Sequence, residues 1–64
     1  MQQAAAEMSS VGTQLEDLTR RVIEAASRFD EGGREDVAHE LYEVERSLRS
    51  ALRRLNRATR DAGR

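Results

Sequence analysis

RFDEGGREDV, residues 28–37, closes one amphipathic run and opens another. Its two glycines interrupt the helical pattern, and glycine takes the left-handed backbone that ends a helix without a steric penalty. Just beyond them, Glu35 and Asp36 suit the positive end of a new helix. The stretch reads as a short turn over residues 30–33, which lays the helices on either side antiparallel.

Upstream of the turn, Met1, Ala4, Met8, Val11, Leu15, Leu18, Val22, Ala25 and Phe29 recur at alternating intervals of three and four, which is an a/d heptad pattern. Downstream, Val37, Leu41, Val44, Leu48, Ala51, Leu55, Ala58 and Ala62 do the same. Members of the two series stand equally far from Gly33, from Phe29 with Val37 out to Ala4 with Ala62, so each layer sets an a residue against a d residue. The expected fold is all-α: an antiparallel two-helix hairpin (coiled coil) that dimerises into a four-helix bundle. Helix 1 is expected over about residues 1–29 and helix 2 over about residues 34–62, in a single domain. Thr13 and Glu16 form a candidate capping box just after Gly12, so a weak point in helix 1 is expected near residues 9–12.

Composition agrees with this reading. The chain has 64 residues, 36% of them charged and 3% aromatic, with no proline and no cysteine. A domain of this size is marginal without a disulfide, a metal or a partner chain, and only the partner is open to a chain without cysteine and with one histidine. No apolar run approaches the roughly 18 residues of a membrane span, and MQQAAAEMSS has neither the basic start nor the apolar centre of a signal peptide. A cytoplasmic protein with no membrane partner is expected. All its basic residues are arginine, which suggests a GC-rich bacterial genome.

The heptad flanks point to a second surface. With Leu15 at a, the e positions of helix 1 are Ala5, Gly12, Thr19 and Ala26, none of them charged. In an isolated two-stranded coil such flanks usually carry charge. Thr19, Ile23, Ala26, Ala38, Tyr42 and Leu52 are therefore the expected dimer or partner interface. Charge gives an orientation: residues 1–45 hold four arginines and eleven acids, whereas residues 46–64 hold seven arginines and one acid. An antiparallel dimer of hairpins brings opposite charges together. Within each helix, Glu16/Arg20, Asp17/Arg21, Glu24/Arg28 and Glu45/Arg49 have the spacing of i,i+4 ion pairs.

On the far side of helix 2, Arg46, Arg53 and Arg60 at f, with Ser50, Arg57 and Arg64 at c, form an outward ridge. Guanidinium groups held in this way suit phosphates, and Ser50, Arg53, Arg57 and Asp61 are a candidate nucleotide or anion site. The stretch SALRRLNRATRD resembles the E-x3-S-x2-R-x3-Q-x3-D motif of the cyclic di-GMP-binding anti-sigma factors of actinobacteria. Ser50, Arg53 and Asp61 match, while Arg46 replaces the glutamate and Arg57 the glutamine. The resemblance implies an antiparallel coiled coil, a homodimer, and a sigma factor as the protein partner.

No catalytic constellation is present. His39 and Glu43 share a helix face but supply only two ligands, no nucleophile has a base beside it, and no glycine-rich loop follows a strand. The chain is expected to be a non-enzymatic interaction module without cofactor or metal, a self-associating hairpin that regulates or scaffolds another protein. The alternatives are a cyclic di-GMP-responsive anti-sigma regulator and a weak nucleic-acid binder through the arginine-rich helix. With a net charge of −1 and no aromatic platform, nucleic acid is the least favoured partner.

Overall fold

A computed structural model describes residues 2–63, without the side chain of residue 2. Met1, the first residue of the expected seam, and Arg64, the last of the ridge, lie outside the described residues. The chain forms two helices, α1 (Gln2–Glu31) and α2 (Glu35–Ala62), packed against each other as a hairpin 48 Å long. Among the described residues there is no strand.

The turn is tighter and later than residues 30–33. Gly33 has a φ of 82°, its N–H donates to the carbonyl of Asp30 at 3.1 Å, and the N–H of Arg34 donates to the carbonyl of Phe29 at 2.8 Å. These are the two bonds of a Schellman motif, which satisfy carbonyls left over at the end of α1. The carbonyl of Arg34 then accepts the N–H of Ala38 at 3.0 Å, and Glu35 and Asp36 occupy the first turn of α2. Arg34 also folds its guanidinium over Asp36, with Nε and Nη2 donating to the two carboxylate oxygens at 3.1 and 3.2 Å.

Helix α1 runs unbroken through Gly12. The hydroxyl of Thr13 does not cap a helix start; it donates backward to the carbonyl of Ser9 at 3.3 Å. Gly12 is buried, and a Cβ placed on it would stand 3.3 Å from Asn56 Oδ1 and 3.9 Å from Leu52 Cδ1 and Leu55 Cδ2. The glycine therefore marks a close approach of two helices rather than a helix break. It also sets the register, because Gly12 faces the Leu52 to Asn56 turn, as expected for helices mirrored about Gly33.

The line of closest contact differs from the a/d seam. Besides Gly12, the buried residues among those described are Thr19 at 5% exposure, Ala26 at 0% and Ala38 at 2%, all at e positions. A column of small residues at every seventh position lets two helices approach closely, and the pair has turned to use it. At 100° per residue, e lies about 40° from a on one side and d about 60° on the other. Centring the contact on e and a swings the d column out of it. Leu15, Val22, Leu41, Leu48 and Leu55 at a are half-buried and Val11, Leu18 and Val44 at d exposed, while toward the turn Ala25 and Val37 at d are half-buried and Phe29 at a, like Met8 at a near the open end, is exposed.

Candidate interaction faces

The small-residue contact divides the six residues of the expected e/b interface. Thr19, Ala26 and Ala38 are buried between α1 and α2 of the same chain, so they offer no surface to a partner. The Thr19 hydroxyl is satisfied locally, donating to the carbonyl of Leu15 at 2.7 Å. Leu52 is half-buried and reaches over Gly12. Ile23 is half-buried and Tyr42 is exposed. Ile23 and Leu52 line a shallow open hollow with Glu16, Thr19, Arg20 and Arg49. Charged side chains thus frame what remains of this flank.

Two of these charges, Arg20 and Arg49, are engaged with acids of their own helix. Arg20 bridges Asp17 and Glu24, the latter at 2.9 Å, and these two acids hold its pKa above the ordinary arginine value. Arg49 pairs with Glu45, which lies at an e position and is mostly covered. Asp17 and Arg21 stand 3.9 Å apart. Of the four expected i,i+4 pairs, Asp17/Arg21 and Glu45/Arg49 form; Arg20 turns from Glu16 to Asp17 and Glu24, and Glu24/Arg28 is not among the ion pairs of the described residues.

The opposite flank carries the large apolar side chains. Leu18 is 47% exposed and Val44 44%, and Met8, Val11 and Phe29 are exposed with them. In an antiparallel pair like heptad letters fall on the same side, so the d columns of both helices open onto one face. An apolar groove lies between the helices at the open end, lined from α1 by Ala4, Ala5 and Met8 and from α2 by Leu55, Ala58, Thr59 and Ala62. The accessible surface is 5111 Å², whereas a compact monomer of 7.2 kDa exposes roughly 4,100 Å². The excess is close to the ~800 Å² that each partner buries in a standard interface.

The heptad pattern contained this face but did not reveal that one hairpin leaves it open. The signal was the e column itself. Uncharged flank positions read as a sticky exterior, but their small size makes them the better place for two backbones to meet.

Arg53, Arg57, Arg60 and Asp61 are exposed and Ser50 is partly so. Arg46 pairs with Glu43 at 3.6 Å, whereas Arg53, Arg54, Arg57 and Arg60 take part in no ion pair among the described residues. All four candidate anion-site residues lie on α2 alone. His39 is exposed, and among the described residues no group of three or more His, Cys, Asp or Glu could hold a metal. Among the described residues no helix is long and apolar enough to cross a membrane.

No protein-family model matches the chain, and no curated protein or solved structure matches it either.

Proposed function

We propose that this chain is a non-enzymatic interaction module, a self-associating helical hairpin of the cytoplasm that regulates or scaffolds a partner protein. The observation that carries the reading is the exposed apolar column of Met8, Val11, Leu18, Phe29 and Val44. Large apolar side chains aligned along one face mark a protein contact, in contrast to the scattered apolar residues of an ordinary surface. The e-column contact supports it too, because Ala, Gly and Thr bury little apolar area for a hairpin that must fold by itself. Closing two hairpins into a four-helix bundle gives these side chains a shared core. Sedimentation equilibrium across the micromolar range tests this. A dimer is expected, and a chain that stays monomeric at hundreds of micromolar sinks the self-associating reading.

A second reading rests on Arg53 and Arg57, which have no acidic partner among the described residues and share one helix stripe with Ser50 and Asp61. It makes the hairpin a cyclic di-GMP-responsive regulator of the anti-sigma kind. Calorimetric titration with cyclic di-GMP separates the two, since the first reading expects no heat at millimolar ligand.

A further inference from the structure

We infer that the hairpin's occupant on its a/d face is a second copy of itself, packed antiparallel, with α2 lying along α2 of the other copy. The inference rests on the self-association reading and adds the face, the orientation and the pairing of layers to it.

The face follows from the e-column contact. Every a and d position from Ala4 to Ala62 is apolar, and the charges bordering the face beside Leu18 are Asp17 and Arg21, a long pair at 3.9 Å. The opposite flank has Arg20 and Arg49, with their acids, around Ile23 and Leu52. Covering that flank would bury engaged ion pairs for a small apolar gain, and desolvating such pairs is costly. Covering the a/d face removes Leu18, Val11, Val44, Met8 and Phe29 from water, a larger apolar gain than Ile23, Tyr42 and Leu52 offer on the other flank.

The orientation follows from side-chain volume. Antiparallel packing places Phe29 and Val37 at the turn against Ala4 and Ala62 of the second copy, and Ala25 and Leu41 against Met8 and Ala58. Large residues then meet small ones at both ends of the bundle, while the middle layers set Val22 and Val44 against Val11 and Leu55, so the core is filled more evenly than in the parallel arrangement. Parallel packing would stack Phe29 and Val37 on their own copies and leave a layer made only of Ala4 and Ala62. Such an arrangement is overfilled at one end and empty at the other.

Charge selects the same orientation. From Glu35 to Glu45, α2 carries five acids and no arginine, whereas from Arg46 to Arg60 it carries six arginines and no acid. A twofold axis perpendicular to the helices and lying in the plane of the interface brings each α2 beside the other in reverse. The acidic half of one then lies along the basic half of its neighbour. A parallel dimer instead sets α2 beside α1, where the charges are mixed.

Two measurements test the inference. Leu18 is nearly half exposed in the hairpin, so Leu18→Glu is aimed at the second copy and not at the fold. Sedimentation equilibrium is expected to show dimerisation weakened by at least about 100-fold in Leu18→Glu and within about 3-fold of wild type in Ile23→Glu. The chain has no cysteine, so a spin label on Glu31→Cys reports orientation in an otherwise unaltered protein, even if Leu18→Glu fails to fold. The antiparallel bundle puts the two labels roughly 45 Å apart, from 1.5 Å of rise per residue. A parallel one puts them within about 25 Å, given helix spacings near 10 Å. Short label distances, or a dimer that Ile23→Glu breaks and Leu18→Glu does not, overturn the inference and leave self-association standing. A wild-type monomer overturns both.

Discussion

Gly12 on α1 lies against Asn56 on α2, so closely that a Cβ on the glycine would come within 3.3 Å of the Asn56 amide oxygen. That contact and the burial of Thr19, Ala26 and Ala38 define how the two helices meet. A single methyl group is tolerable here, because the atom in its way is the tip of an exposed side chain that can swing outward. Gly12→Ala is therefore expected to stabilise the hairpin, gaining up to about 1 kcal/mol of helix propensity. Gly12→Leu must displace Leu52 and Leu55 as well, and is expected to lower the unfolding midpoint. Urea denaturation of the two variants checks this; a destabilised Gly12→Ala would mean that Asn56 cannot move.

Ala26 tests the same contact from its most covered point. With no exposed surface, it has no direction in which to accommodate a larger side chain. Ala26→Leu is expected to cost about 1–3 kcal/mol, the usual penalty for overpacking a tight contact. Ala6→Leu, on an exposed part of the same helix, is expected to stay within about 0.5 kcal/mol of wild type. Equal effects in thermal melts would show that α1 does not meet α2 through its e column.

The hairpin could be read from the sequence because its two causes are local: two glycines in succession, and apolar series mirrored about Gly33. The register survived for the same reason, as Gly12 facing Leu52, Leu55 and Asn56 demonstrates. Rotation of the helices about their own axes is not local. It depends on whether large a/d side chains or small e side chains come closest, and periodicity alone places both in the same half of the wheel. Thr19, Ala26 and Ala38 were therefore expected outside and lie inside, while Leu18 and Val44 were expected inside and lie out. Rotamer choice was equally hidden, which is why Arg20 pairs with Asp17 and Glu24 instead of Glu16.

The turn makes its own prediction. Gly33 holds a φ of 82° with open space around it, so a side chain there meets no neighbour and the cost of substitution is purely conformational. Gly33→Ala is expected to destabilise the hairpin by about 1–2 kcal/mol, and Gly33→Asn by less, because asparagine visits the left-handed region more readily. Gly32, whose φ is not positive, is expected to tolerate alanine better. Denaturation midpoints ordered wild type, Gly33→Asn, Gly33→Ala are the result that agrees, and a Gly33→Ala protein as stable as wild type is the one that does not.

Asp36 gives the turn a defined response to pH. The Arg34 guanidinium donates to its carboxylate, and the Val37 backbone N–H adds a second donor, so its pKa lies below the ordinary value of 3.8. Because these bonds favour the ionised form in the folded chain, their contribution to stability is complete above the usual carboxylate range. It is lost as pH falls through the lowered folded value. The group is fully exposed, so solvent keeps this contribution small and its clearest signature is the titration itself. Carboxyl carbon NMR is expected to place the Asp36 midpoint below that of a free aspartate. Arg34→Ala should move the midpoint upward but not all the way, since the Val37 N–H remains. An unchanged midpoint in Arg34→Ala would show that the arginine does not hold the first turn of α2 in solution.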